Sequence, residues 1–380
     1  MLPGRAVIAL SALLLAAPAA AAAEPSLKYF GDARLAFYAS ERTARNGVET
    51  SDEGLRLRAR AGAEARLADE WKWRGRLAGR YTTEQDQSRF WLKTWAPTRT
   101  GLDEGDATID EFYFDYAPAG GDWSLRVGRF QGKFLLPGVA AKSFDRNDSP
   151  NVDVTWTDGL HFQYRLTPGW RTHLVLQANA SSGSGQVARA PLTFDDPDSR
   201  ITSFLALEAT TPWGPLTQRL FAVTWMPDTL ATDGLAAATR DDYFALTAKM
   251  FAEWPIGADG MRGGVGVEIG YAPSTPRESV VGAGGSASAE GLAHQFSFNL
   301  YDFAPGHNIA FVYGRAGAGW LISPDFRNND RLQEVRYQWR FSQRWSMETR
   351  LRRRQEVDVP AGTPKLRTDD DFYMRLTARF

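Results

Sequence analysis

Four histidines, His161, His173, His294 and His307, are the side chains best suited to proton or metal chemistry, because the chain has no cysteine. His161 and His173 are symmetric about the turn centred on residue 167, and both alternate with apolar residues such as Phe162 and Leu174. On a hairpin that spacing can set two imidazoles side by side on one face. A metal site would want a third ligand. Periodicity places none, so the two rings read as a polar pair. A nucleophile, base and acid cannot be assembled from spacing alone. No GxSxG, HExxH or Walker A sequence occurs. The acidic stretches Asp103 to Asp110 and Asp195 to Asp198 lack a full calcium-loop pattern. The expectation is therefore no enzyme, no metal and no cofactor.

The more abundant chemistry is cationic. In LRLRARAGAEARL, Arg56, Arg58, Arg60, Glu64 and Arg66 fall on one parity, and Leu55, Leu57, Ala59, Ala61, Ala63, Ala65 and Leu67 on the other. WKWRGRLAGRY repeats this, with Lys72, Arg74, Arg76 and Arg80 opposite Trp71, Trp73, Leu77 and Tyr81. A strand turns alternate side chains to opposite faces, whereas a helix would smear these arginines around its circumference.

The elements that must carry such faces are strands throughout. Sixteen period-two segments can be marked, from 27–39, 54–67, 71–82 and 107–116 to 331–341, 345–354 and 371–380. Many approach the roughly 9–11 residues that cross a bilayer at a tilt. Short links alternate with long ones. Thr167-Pro168-Gly169 and Ser342-Gln343-Arg344 are short; 83–106, 131–153, 180–199, 272–291 and 355–370 are long. This is the pattern of a transmembrane antiparallel β-barrel, all-β, with short periplasmic turns and longer external loops. Weaker alternation in strands 8, 11 and 13 leaves 14 or 18 strands open. Trp71, Trp123, Trp170 and Trp345 each follow a short turn, where an indole suits a membrane interface.

Composition agrees. The chain has 380 residues, with 44 Lys and Arg against 45 Asp and Glu, which excludes a nucleic-acid binder resting on bulk charge. Mean hydropathy is -0.37 although aromatics make up 12%. Residues 1–23 read as a signal peptide: Arg5 is the positive start, Val7 to Ala16 the apolar core, and cleavage is expected after Ala23. The mature chain, 24–380, is then one barrel domain.

The last strand, DFYMRLTARF, puts Phe372, Met374, Leu376, Ala378 and Phe380 on one face and Tyr373, Arg375, Thr377 and Arg379 on the other. Together with IDEFYFDYAPAGGDWSLRVGRF, FDRNDSPNVDVTWTDGLHFQY and YDFAPGHNIAFVYG, it resembles the Gram-negative outer-membrane porins over nearly the whole mature chain. The resemblance implies a location in the bacterial outer membrane, among lipid and lipopolysaccharide. It also implies that Phe380 is read by the barrel-assembly machinery, and that the protein is a homotrimer. In sixteen-stranded porins the third external loop folds into the lumen; loop counting gives that place to 131–153.

A sheet in hydrocarbon must close, because its edges cannot stay unpaired. Closure sets strand 16 beside strand 1 and makes strands 14, 15, 16, 1, 2 and 3 one wall. Its inward basic residues number seventeen. They include Arg56, Arg58, Arg60, Arg74, Arg76 and Arg80 on one side of the seam, and Arg336, Arg350, Arg352, Arg375 and Arg379 on the other. Inward acids expected on those strands are four: Asp32, Glu64, Glu334 and Glu348. Acids to oppose the wall are Glu111 and Asp115 on strand 4 and Asp145, Asp148 and Asp153 in 131–153. The expected function is passive diffusion of small hydrophilic solutes through a charged constriction, with anions favoured. A substrate-specific or anionic-saccharide export channel, a barrel enzyme and a soluble periplasmic β-protein are the alternatives.

Overall fold

A computed structural model describes residues 26–83, 107–147, 155–179, 187–234, 240–257 and 260–380. The segment 1–23, Asp148 and Asp153 lie outside the described residues.

Among the described residues sixteen strands close into one antiparallel barrel, each hydrogen-bonded to its sequence neighbours and the last to the first. They are β1 Ser26–Thr43, β2 Glu49–Arg66, β3 Trp71–Thr82, β4 Ala107–Tyr116, β5 Trp123–Phe130, β6 Thr157–Thr167, β7 Trp170–Ala178 and β8 Ile201–Ala209. They continue as β9 Leu216–Leu230, β10 Asp241–Pro255, β11 Arg262–Tyr271, β12 Leu292–Ala304, β13 His307–Ala316, β14 Asp330–Arg340, β15 Trp345–Glu356 and β16 Thr368–Arg379. Parity outlines the strands well but misses their polar extensions. β1 and β2 run on as a paired hairpin to Thr43 and Glu49, where both faces are polar and alternation carries no signal.

Closure is made by β1 and β16 in register, Leu35 opposite Leu376 and Phe37 opposite Met374. The C-terminal residue completes it. Gly31 N donates to Phe380 O at 3.0 Å, and Phe380 N donates to Gly31 O at 3.1 Å. A Cβ on Gly31 would lie 2.4 Å from the Phe380 ring, so glycine is what lets that ring cross the seam.

The burial pattern is inverted relative to a water-soluble protein. Outward Leu351 is 56% exposed and Phe298 53%, whereas inward Arg336 is 2% and Lys249 1%. Six of the seven exposed tryptophans among the described residues gather at the short-turn end: Trp123, Trp170 and Trp345 as the sequence indicates, and also Trp213, Trp254 and Trp339, with Trp225 the exception. The rings touch along that rim, with Trp71–Tyr116 at 4.8 Å and Tyr116–Trp123 at 5.3 Å.

One side of the lumen is filled. Segments 131–147, 187–200 and 317–329 turn inward and pack Val139, Phe144, Leu192, Phe194, Trp320, Leu321, Ile322 and Phe326 against β9, β10, β12, β13 and β14. Their seat is smooth. The inward positions of β11 include Gly266 and Gly270, where a Cβ would stand 3.0 Å from Leu136 and 2.6 Å from Trp320. The loops are cross-tied: Tyr243 OH donates to Gly319 O at 2.9 Å and accepts from Leu321 N at 3.0 Å. Ser323 Oγ donates to Ser143 O at 2.7 Å. The sequence reading anticipated an inward turn only for the first of these three segments.

Candidate functional site

The other half of the lumen wall is charged. Pairing puts Arg34 opposite Arg58 and Arg58 opposite Arg80, so three guanidiniums share one row across β1, β2 and β3. Like charges directly opposed on a sheet are destabilising. Asp32 relieves the row: it accepts from Arg58 at 2.9 Å and from Arg60 at 2.7 Å, and lies 3.7 Å from Arg34. Arg56 stacks over the Tyr38 ring at 4.0 Å. A cleft of about 20 Å³ lies among Arg34, Arg56, Arg58, Arg80, Tyr81 and Tyr373.

Across the closure seam the wall continues with alternating sign. Arg336 bonds Glu334 at 2.8 Å and lies 3.7 Å from Glu348. Arg375 donates to Glu348 at 2.9 Å, and both Arg350 and Arg352 reach Asp371 at 2.6 Å. The expected set of four inward acids is too small for this wall. β16 starts at Thr368, earlier than its alternation indicates, which brings Asp369 inside; Asp371, on the parity of Tyr373 and Arg375, is a further inward acid. Arg379 pairs with Asp32 on the inward parity and is exposed at the short-turn end.

On the far flank a bulge changes the phase of β4. The register steps from Arg76↔Glu111 to Leu77↔Ile109, so the consecutive carboxylates Asp110 and Glu111 both turn inward. Bulges commonly re-aim side chains in this way. Strict alternation would have sent Asp110 to the outer face. Instead Arg76 grips it with two bonds of 2.9 and 2.7 Å, both partners being buried. Arg74 bonds Glu111 at 2.7 Å and Glu64 at 3.1 Å, and Arg126 bonds Asp115 at 2.7 Å. Glu111 and Asp115 therefore balance arginines on their own flank of the wall and do not face it across the lumen.

Asp145 also differs from its expected place at the edge of a constriction. It is 1% exposed. Lys249 of β10 reaches its carboxylate at 2.6 Å and Thr247 Oγ1 donates to it at 2.6 Å. Lys249 Nζ also donates to Ser143 Oγ at 2.7 Å and to Phe134 O, and lies 3.4 Å from Glu268. Glu268 in turn accepts from Phe144 N at 2.9 Å. The acid's burial follows from what it binds: a lysine sealed inside the wall needs carboxylate and hydroxyl partners to stay charged. A second clamp joins Lys142 to Glu334 at 2.9 Å. Burial lowers the Lys142 ammonium to about 8, against the opposing pull of Glu334 and Asp325. Neither clamp is singled out by the sequence reading. The available signal is Lys249 itself, a lone cation on the inward parity of YFALTAKMFAEW.

His161 and His173 do meet, Nε2 to Nδ1 at 3.1 Å, with the rings 5.3 Å apart. A third group that periodicity did not reveal joins them: Glu208 of β8 lies 3.1 Å from His173 Nε2. Phe134 at the start of the inward segment packs edge-on to His173 at 5.4 Å. The trio is a hydrogen-bonded chain. Among the described residues no group of three or more His, Cys, Asp or Glu is gathered as a metal site.

No family model matches the chain, and no curated protein matches its sequence. Its shape does match solved structures. OprB of Pseudomonas putida, solved at high pH, is 10% identical with a TM-score of 0.58, over 93% of this chain and 94% of that one. The outer-membrane channel DcaP of Acinetobacter baumannii is 12% identical at 0.56, over 94% and 99%. An anion-selective porin from Comamonas acidovorans is 10% identical at 0.52, over 94% and 100%. The fold is that of the sixteen-stranded outer-membrane porins.

Proposed function

We propose that the protein is exported through residues 1–23, sits in the bacterial outer membrane and passes small hydrophilic solutes by diffusion, with anions favoured. The observation that carries this reading is the row Arg34–Arg58–Arg80 on the inner wall, flanked by Arg56 and Arg375. Arginine is the side chain that holds its proton most firmly. Its charge in a narrow low-dielectric passage draws counter-ions from the bulk. The segment 131–153 is proposed to narrow that passage from the filled side, and Phe380 to be the assembly signal. The reaction class is transport, not catalysis.

A second reading, a channel selective for an anionic saccharide or a related anion, is favoured by the aromatic rings set among the cations. Arg350 lies over Tyr373 at 5.0 Å, Arg126 over Tyr113 at 4.2 Å and Arg74 over Phe30 at 3.7 Å. Saturable conductance with that solute would distinguish it from free diffusion.

The test is a reversal potential across a planar bilayer in a potassium chloride gradient. Replacing Arg56 and Arg80 together by glutamine keeps polarity and spares the pairs made by Arg58 and Arg60. The chloride-to-potassium permeability ratio should fall. The fall should be larger at 0.01 M salt, where the Debye length is about 30 Å, than at 1 M, where it is about 3 Å. An unchanged ratio in folded channels sinks the basic-wall mechanism.

A further inference from the structure

The outer wall carries a row of cations at its long-loop end. His294, Arg315, Arg331 and Gln355 are partner to partner across β12 to β15. They share the parity of Phe296, Phe311, Val335 and Leu351, all of them exposed. Arg353 is on the same face of β15, diagonal to Arg331. Diagonal neighbours on adjacent strands stand about 7–8 Å apart, within reach of long side chains.

The three arginines are not equally balanced. Glu290 holds Arg315 with two contacts of 2.7 Å, and Asp370 lies 3.5 Å from Arg353. Arg331 faces Arg315 directly across the strand pair and donates to the neutral amide of Gln355. Among the described residues no carboxylate pairs with it. Guanidiniums set opposite each other repel, and an anion lodged among the three would relieve them. Toward β16 and β1 the sign reverses. Asp370 pairs with Glu41, and Glu53 pairs with Ala39. An anion on this wall is therefore confined to β13, β14 and β15.

Height decides what kind of anion it is. Eight residues separate Arg331 from Trp339, and Arg353 from Trp345, at the opposite rim. At about 3.3 Å per residue and a tilt near about 40°, that is roughly 20 Å of height. The apolar band of such a barrel is about 25 Å tall. The guanidiniums thus stand at its far edge, level with the headgroups of the outer leaflet. Below them a groove of about 670 Å³ is lined by Phe311, Val335 and Leu351 together with Gln333 and Arg353.

We propose that the outer face of β13 to β15 binds the phosphorylated glycolipid of the outer leaflet, the lipid A part of lipopolysaccharide. One phosphate monoester lies against Arg331, flanked by Arg315 and Arg353, where guanidinium forks match phosphate oxygens. The acyl chains lie over Phe311, Val335 and Leu351. The proposal rests on the reading that the barrel sits in the outer membrane with its long loops outward.

Native mass spectrometry of the folded protein in detergent tests it, with diphosphoryl and monophosphoryl lipid A of identical acyl chains as probes. EDTA is present, so that no divalent cation bridges phosphate to Asp370 or Glu41. Diphosphoryl lipid A should be retained about fivefold over the monophosphoryl form, the scale of one exposed charge interaction. Arg331→Gln should erase most of that preference, and Glu41→Gln should leave it intact. Both side chains point away from the lumen, so conductance should be unchanged and reports folding. Equal retention of the two glycolipids, a preference that survives Arg331→Gln, or one lost in Glu41→Gln overturns the site. Displacement by an excess of inorganic phosphate also overturns it, because the site would then recognise free phosphate and not the glycolipid. Those results leave the barrel's need for detergent intact; a monodisperse detergent-free protein would instead overturn the membrane reading.

Discussion

Replacing Lys249 by methionine should free the inward segment 131–147 from the wall. The lysine is the hub of the clamp: its Nζ bonds Ser143 Oγ, Phe134 O and the Asp145 carboxylate, and stands 3.4 Å from Glu268. Methionine fills similar volume without charge, so the loss is electrostatic. Removing one member of a buried ion pair typically costs about 3–5 kcal/mol, because the partner is left charged and dry. At about 1.4 kcal/mol per factor of ten, the ratio of docked to undocked segment falls by roughly two to three and a half powers of ten. The remaining ties, such as Val139 N to Asn299 Oδ1 at 2.8 Å and Lys142 to Glu334, then decide how much docking survives. Two readouts follow the segment. Single-channel current should gain open-channel noise and rise in mean level, and the Phe144 amide, bonded to Glu268 at 2.9 Å, should exchange faster. The triple variant Lys249→Met, Asp145→Asn, Glu268→Gln removes the stranded charges and should recover part of the docking. A folded Lys249→Met barrel with quiet current and a protected Phe144 would refute the clamp. A triple variant no better than the single one would refute uncompensated charge as its cause.

Other perturbations separate the remaining claims. Asp110→Asn removes the charge from the buried bidentate ion pair with Arg76 and should destabilise the barrel by about 3–5 kcal/mol, read from heat-modifiable migration. Asp115→Asn, whose pair with Arg126 is about one-third exposed, should cost under about 1 kcal/mol; equal effects would discredit the burial argument. Gly31→Val puts a side chain onto the Phe380 ring, so it and deletion of Phe380 should both reduce folded protein in the membrane; normal amounts of either variant would count against the seam. Lys142 titrates near about 8 when docked, below the usual 10.5, so the docked segment holds that proton more weakly than the free one. Docking should therefore strengthen, and current noise should fall, as pH rises from about 8 toward 10.5; noise that grows over that window reverses the sign and the argument.

The strands could be read from sequence because a barrel wall enforces period two on every segment that faces lipid on one side and water on the other. Arg56, Arg58 and Arg60 alternate with Leu57 and Ala59 for that reason alone. Asp110 could not be read this way. It takes one extra residue in β4 to turn it inward, and alternation assumes none. A carboxylate assigned to the lipid face by parity was the available warning, since burying a charge in hydrocarbon is costly. Asp369 and Asp371 were obscured by the acidic run that opens β16, where both faces are polar. Asp145 is a tertiary matter: Lys249 is more than one hundred residues away, and only the path of the chain brings them together. The hydrophobic cluster Trp320-Leu321-Ile322 did carry a signal, being too apolar for a loop washed by water and too short for a strand.

Wall composition explains which half of the lumen the loops fill. Leu192, Phe194, Trp320 and Phe326 gain by leaving water, and they need a dry, contoured surface. The inward positions of β10 to β13 supply one, with Tyr243, Ala245, Gly266, Gly270, Ala293, Ala310 and Val312. Where that surface carries charge, at Lys249 and Glu268, the incoming segment brings its own partners, Asp145 and the Phe144 amide. The wall from β15 through β2 offers no comparable apolar seat. Covering a charged side chain with apolar loop costs several kcal/mol, of the order of each charge buried without a partner. The described segments 131–147, 187–200 and 317–329 are thus drawn to one side by its inward residues. Under the proposed function the charged side would be the route of a hydrated solute. Under the proposed function the arginine row would do two things at once: attract the anion, and keep the described segments from packing over it.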